Sequence, residues 1–411
     1  MPVRLDHVLP LAERPGRPRI GLWLGALGLL VAAGLVAQAL LVPRTQDAPL
    51  LLMGPAVLWP VAVWAALAGM RTMIFIGQQR SADGWDESRD QDLDLRISVG
   101  RRSLSIMGMS LHSALRAPYS QVDTQLDALL RGEVAIRSQV SRHGLVERHS
   151  RLPGKVDEAH ETLLSEAFAN LLVDLAPTLS QAPLDAPVAL LFSVDTNVAD
   201  DTLQHLWNQA WHQSGIRQAQ APLTGEGLAA IDHWLDHCAT DQGLLMVIAL
   251  QIAPSHIENS AEVAAGLLLA NQAVPGALQS LGCLHRPEPV SESENEQSDE
   301  SLMQTARRAL DWVPLQPERV GHVWRAGIGE SWNASLSSTM SALLPAVDGS
   351  QGMTDLDALL GCAGAATPWL AITAAVLRLH REIEPQLVFS GEGSDKTALW
   401  ALALTPVSTG M

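Results

Sequence analysis

Gly361-Cys-Ala-Gly-Ala-Ala366 is the stretch on which the fold of the larger part of this chain turns. Small residues at Gly361, Gly364, Ala365 and Ala366 let two backbone segments approach closely, as they must where a short strand runs into a buried helix. The same composition also suits tight packing in any α/β domain. Just upstream, Leu356–Leu360 reads as a short strand or the approach to a turn. Downstream, Trp369–His380 has helical spacing and Ala398–Leu404 is a closing strand. Working back toward the N-terminus, the periodicity predicts strands at Leu104–Met109, Val188–Val194, Leu244–Ile252, Ala261–Leu269 and Val320–Trp324. Helices are predicted at Val122–Arg131, Glu158–Leu175, Thr202–Gln213, Gly227–Cys238 and Ser301–Trp312. Strands alternating with helices give an α/β domain. Ser291–Glu300 is acidic, serine-rich and without apolar residues. It reads as a solvated loop, or else as an acidic docking peptide.

The first hundred residues have another character. Gly21–Val42 and Leu50–Met70 are uncharged apolar runs, each near the roughly 20 residues that cross a bilayer. Pro43–Pro49 forms the turn between them. Pro55 and Pro60 interrupt the second run, which membrane helices tolerate when neighbours satisfy the freed carbonyls. A cleaved signal peptide is disfavoured by the length of the first run, by the lack of a small-x-small cleavage site and by the second span. Arg4, Arg14, Arg17 and Arg19 precede the hairpin, Arg71 and Arg80 follow it, and the turn holds only Arg44. The positive-inside rule therefore places both ends in the cytoplasm of a bacterial inner membrane. Gly21 and Gly25, with Gly28 and Ala32, form small-xxx-small pairs, read as contact between the two hairpin helices or as self-association. Gln78–Arg96 is highly charged and reads as a juxtamembrane helix or linker. The expected plan is a tail over residues 1–20, a hairpin over 21–76, a charged segment over 77–100 and a soluble domain over 101–411.

Composition removes several function classes. The 411 residues carry a formal net charge of −17, which opposes a nucleic-acid surface. The three cysteines, Cys238, Cys283 and Cys362, are far apart and form neither a disulfide framework nor a CxxC pair. His233 and His237 stand one helical turn apart, a spacing that can hold a metal, but no third ligand accompanies them and a solvated face is the plainer reading. Gly391-Glu-Gly-Ser-Asp-Lys-Thr397 lacks the glycine spacing of a phosphate loop and precedes a strand. Trp207 and Trp211, flanked by His205 and His212, read as core or interface. No cofactor or metal is expected.

Several segments, taken in order, resemble the β-ketoacyl synthases of the thiolase-like fold. Arg101–Leu115 resembles their opening strand, and Leu126-Asp-Ala-Leu-Leu-Arg-Gly132 their first short helix. Glu262-Val-Ala-Ala-Gly-Leu-Leu-Leu-Ala270 resembles an apolar inner strand. Ala309–Val320 resembles the helix and proline turn before a histidine loop, Gly361–Ala366 a glycine-rich turn, and Phe389–Leu404 the closing strand. The resemblance implies a layered αβαβα domain over 101–411, with pairing into a homo- or hetero-dimer. It also implies a cysteine nucleophile at the start of the helix Gly227–Cys238, where the helix dipole would favour a thiolate. The preceding Ala221-Pro-Leu-Thr-Gly-Glu226 has no cysteine, and Cys238 lies at the wrong end. The first histidine loop matches Ala326-Gly-Ile-Gly-Glu330, so Ala326 replaces a histidine, and the second histidine position falls on Cys362. Cys362 is the single weak candidate for chemistry, and a packing cysteine is the plainer reading. The expectation is a membrane-anchored, non-catalytic scaffold or adaptor of a bacterial envelope assembly, such as a type VI secretion system. The alternative is a diverged acyl-transfer enzyme acting near the membrane.

Overall fold

The computed structural model describes residues 9–41, 49–117, 122–184, 186–238, 243–271, 279–290, 299–345, 347, 352–392 and 398–407. The acidic stretch from Ser291 to Ser298, and Gly393–Thr397 of the phosphate-loop look-alike, lie outside these. The chain divides into two compact units, Arg4–Arg96 and Ile97–Met411.

The first unit holds helix α1 (Ile20–Leu41) and most of helix α2 (Pro49–Gly100). Both are long and apolar enough to cross a membrane. Leu22, Leu24, Leu29 and Leu40 of α1, and Leu58, Trp59, Met70 and Met73 of α2, are exposed, so the described residues of this chain leave these apolar surfaces uncovered. The 52 residues of α2 span about 78 Å at ~1.5 Å per residue, far more than a hydrocarbon core of roughly 30 Å. The charged segment Gln78–Arg96 is thus a helix, continuous with the apolar span. Trp64 Nε1 donates to the carbonyl of Trp23 at 2.7 Å and joins the two helices. The N-terminal segment lies against the charged part of α2. Arg89 Nε donates to the Leu9 carbonyl at 2.6 Å, the Ala12 amide donates to Asp86 Oδ1 at 2.9 Å, and Arg14 pairs with Asp83 and Asp86. The segment before α1 and the charged part of α2 thus lie side by side. The glycine contact expected between the helices is not made: nothing lies within 4 Å of a Cβ built at Gly21, Gly25 or Gly28.

The second unit begins with β1 (Ser103–His112), α3 (Val122–Leu130), a hairpin of β2 (Arg137–Val140) and β3 (Val146–His149), α4 (His160–Leu179), β4 (Val188–Asp195), α5 (Asp200–Ser214), β5 (Gln220–Pro222), α6 (Gly227–His237), β6 (Leu244–Gln251) and β7 (Val263–Ala270). It continues with β8 (Gly282–His285), β9 (Glu288–Pro289), α7 (Asp299–Asp311), β10 (His322–Ala326), α8 (Asn333–Leu343), β11 (Met353–Asp355), α9 (Leu356–Leu359), α10 (Thr367–Glu382), β12 (Gln386–Gly391) and β13 (Leu399–Thr405). The expected strand or turn at Leu356–Leu360 is instead a short helix. The strand lies just upstream, and Asp355 caps α9 by accepting from the amides of Asp357 and Ala358. Asp299 and Glu300, read as loop, open α7.

The sheet order reveals two matching halves. In the first it is β5-β4-β6-β7-β1, in the second β11-β10-β12-β13-β8. Each half thus runs third, second, fourth, fifth and first strand, with the fifth antiparallel to the rest. The halves join where β1 pairs with β8, antiparallel, as a two-fold relation requires.

Side-chain alternation along the strands builds the layers. In β6, Leu244, Met246, Ile248 and Leu250 pack outward on α4 and α5, while Leu245, Val247 and Ala249 face a central cluster with α6 and α10. In the second half, Leu387 and Phe389 of β12 face α7 and α8, while Val388 faces the same central cluster. Helix, sheet, helix, sheet, helix is the result. Strands buried on both faces explain why β6 and β7 read as unbroken apolar runs. Trp207 is core: it meets Phe168 at 5.3 Å and Phe192 at 5.5 Å between ring centroids.

Candidate functional site

The two buried central helices start next to one another's opposite half. Helix α6 follows β5 in the first half, and α10 follows β11 and α9 in the second, so they occupy equivalent places. The start of α10 is received by strand ends of the first half. A Cβ at Gly364 (φ +53°) would lie 1.9 Å from Gln251 Oε1 and 3.0 Å from Asp195 Oδ2. Ser193 Oγ donates to the Ala365 carbonyl at 3.0 Å. Gln251 Nε2 donates to the carbonyls of Ala261 at 2.9 Å and Cys362 at 2.8 Å. Reciprocally, a Cβ at Gly227, at the start of α6, would lie 3.2 Å from Glu392 Oε1 at the end of β12. Only glycine fits Gly361 (φ +101°), because the Ser260 carbonyl stands 2.6 Å from any Cβ built there. The turn quoted at the outset is thus held by its backbone: the Cys362 amide donates to the Asn259 carbonyl, and its carbonyl accepts from the Ala261 amide, both at 2.8 Å.

These loops lie at the carboxyl ends of parallel strands, the general location of α/β sites. Cys362 is in place among them. Burial pushes its thiol up; the Gly364 amide and the Thr367 hydroxyl oppose this, and the nearby Asp357 and Asp195 add to it. Ala326 ends β10 fully buried, and the next residue, Gly327, packs on both Thr367 and Gly391. Cys238 caps the far end of α6, away from the loop Leu223–Glu226 that precedes the helix. His233 and His237 stack at 4.1 Å on the exposed face of α6, and no metal-binding group occurs among the described residues.

The sequence reading missed Asp357. Its Oδ2 accepts from the Gly327 amide at 2.6 Å, and the Ile328 amide also reaches the carboxylate. Burial pushes its pKa up to about 7, with Asp355 adding to the rise and the two amides and Arg325 opposing it. An acidic residue inside the apolar run Leu356-Asp-Ala-Leu-Leu360 was the available signal. The site therefore gathers one thiol with the carboxyl groups of Asp357 and Asp195, while Glu392 stands at the start of α6. Neighbouring carboxylates disfavour a thiolate.

No protein-family model and no curated protein sequence matches the chain. Solved structures do match its fold. The ishigamide ketosynthase/chain length factor is 16% identical with a TM-score of 0.50, over 74% of this chain and 100% of that one. A type II polyketide ketosynthase bound to its acyl-carrier protein (AntDE:AntF) is 11% identical with a TM-score of 0.54, over the same shares. A β-ketoacyl synthase from Burkholderia phymatum STM815 is 12% identical with a TM-score of 0.51, again over 74% and 100%. Identities this low speak for the fold alone. With the matching halves and the five layers, they establish that the C-terminal unit, Ile97–Met411, has the thiolase-like fold of the ketosynthases.

Proposed function

We propose that this chain is a membrane-anchored, non-catalytic thiolase-fold subunit, a scaffold or adaptor of a bacterial envelope assembly such as a type VI secretion system. The observation that carries the reading is the loop before α6. It offers Thr224, Gly225 and Glu226 where a ketosynthase-like site needs a thiol, and the pKa of the nearby thiol, Cys362, is raised by burial first and by Asp357 and Asp195 besides. A neutral thiol is a poor nucleophile. Two uncovered apolar helices supply the anchor, and the Arg distribution around them supports a cytoplasmic domain. The ketosynthase–chain length factor and ketosynthase–carrier complexes among the similar structures support pairing with a second protein or copy.

A diverged acyl-transfer enzyme is the rival, and one observation favours it: Asp357, with a pKa of about 7 beside Cys362, is poised to accept a proton. Complementation of a strain lacking the gene separates the two. Cys362→Ser is near-isosteric and removes only thiol chemistry, so the scaffold reading expects it to restore function. Deletion of Met1–Arg71 should not restore it. Loss of function in Cys362→Ser, at unchanged protein level and membrane location, overturns the scaffold and promotes the enzyme.

A further inference from the structure

Among the described residues of the second unit, eight large apolar side chains are exposed, and four of them stand together. Val134, Val140, Leu145 and Val146 are 61%, 42%, 54% and 70% exposed, all on or beside the β2–β3 hairpin. The register explains the exposure. Val140 pairs with Val146, and Ser138 with Arg148, so these four side chains share one face, and all four are exposed. The opposite face carries Arg137, Gln139, Glu147 and His149; the Gln139 amide donates to the His149 carbonyl, His149 is buried and Arg137 is exposed. The hairpin is fixed at its base. The Arg148 amide donates to Glu258 Oε2 at 3.0 Å, the Arg148 guanidinium to Asn259 Oδ1 at 3.0 Å, and the buried pair Arg142–Glu262 closes at 3.0 Å. An apolar tip is therefore held outward by a rigid base, at a cost in exposed apolar area that folding does not require.

Charge selects what covers it. The chain is strongly acidic, yet apart from the buried Arg142–Glu262 pair this segment carries Arg131, Arg137, Arg148, Arg151 and Lys155 against Glu133 and Glu147. Arg148 is exposed on the face of Val140 and Val146, and Arg137 is exposed on the opposite face, both at the foot of the apolar tip. Apolar side chains rimmed by arginines fit an interface of acyl chains beneath anionic headgroups. A tethered domain also meets such a surface at high effective concentration. A second copy of this chain would bring the like-charged hairpin against itself.

We propose that the β2–β3 hairpin is a secondary membrane-docking element, in which Val140, Leu145 and Val146 enter the interface of an anionic bilayer and Arg137 and Arg148 contact its headgroups. The proposal rests on the membrane-anchored reading above. It is tested on the full chain, one copy per nanodisc, by amide hydrogen exchange over residues 137–149. Discs of phosphatidylcholine alone are compared with discs containing about one third phosphatidylglycerol. Exchange should slow by about fivefold or more in the anionic discs, the factor for even one basic residue at such a surface. The protection should vanish in high salt and in Arg137→Glu/Arg148→Glu, and should weaken in Val140→Ser/Val146→Ser. Equal exchange in both discs overturns it, as does protection that appears only when two copies share a disc, which would make this face a protein interface. Carbonate extraction of native membranes reads the anchor separately. Retention of the chain together with equal exchange sinks the hairpin and leaves the anchor. Release of the chain sinks the anchor, and vesicle flotation that requires both anionic lipid and Arg148 would then still sustain the hairpin.

Discussion

The carboxylate of Asp357 accepts the backbone N–H of Gly327 at 2.6 Å, tying the start of α9 to the loop after β10. The bond fixes an acidic group where burial raises its pKa to about 7. A carboxyl group whose folded pKa lies above its unfolded value stabilises the neutral folded form. Stability is then greatest at acid pH and falls as pH rises from about 4 to about 7.

Asp357→Asn keeps an acceptor for the Gly327 amide and removes the charge. It should raise stability at pH 8 by about 2–4 kcal/mol and change it little at pH 4. Thermal melts of both proteins across this range check the point. An unchanged difference between the two pH values would mean that Asp357 does not titrate there.

The Cys362 thiol is raised by burial and by Asp357 and Asp195. Iodoacetamide at neutral pH should label it slowly in the folded protein and rapidly after denaturation. Mass mapping of the alkylated peptide supplies the readout, and fast labelling of the folded chain would contradict the assignment.

Glycines in the site should be less replaceable than glycines elsewhere. Gly361→Ala places a methyl group 2.6 Å from the Ser260 carbonyl at φ +101°, against backbone that cannot turn away. It should cost about 3–5 kcal/mol. Gly132→Ala, at φ +71° with nothing within 4 Å, should cost only about 1 kcal/mol. Denaturant midpoints of the two variants give the comparison.

Arg286 is fully buried and bonds to Asp232, to Asp236 at 2.7 Å and to the Val99 carbonyl at 3.2 Å. Burial is the largest single influence and raises the Asp236 carboxyl, but the hydrogen bond and charge of Arg286, with the group's other partners, together hold it below the usual carboxylate range. Arg286→Ala removes the buried guanidinium that pairs with both acids and should destabilise the fold by about 3–5 kcal/mol. Because the folded pKa of Asp236 is depressed, its contribution is present above about pH 4 and lost as pH falls further. The cost of the variant should therefore shrink in acid, which melts at pH 3 and pH 7 would show.

Membrane orientation is tested by reporter fusions. A reporter active only in the periplasm should be silent after Met411 and active when inserted at Gln46. The opposite pattern would reverse the orientation drawn from the arginines.

Much of the fold was legible in the sequence because it rests on local periodicity. Uncharged runs marked α1 and the apolar part of α2, and apolar spacing marked α4, α5 and α10. The unbroken runs of β6 and β7 stood out because both faces of those strands are buried. Elements that lack an apolar repeat escaped notice: the β2–β3 hairpin, the short edge strand β5, β8 and α8. Gly361 and Gly364 were rightly read as points of close approach, yet the partners they approach are Ser260, Gln251 and Asp195, far away in the chain. Periodicity says which face of a strand is buried, not which strand or loop lies against it. That is settled only when the two halves fold over one another. The same folding brings Asp357 to Gly327 and Glu392 to Gly227, and it withdraws the Cys362 thiol from water among carboxylates. Residue types alone fixed that the loop before α6 carries no cysteine. Tertiary structure decided which groups stand together in the site, because a pKa depends on burial and on neighbours brought in from distant segments.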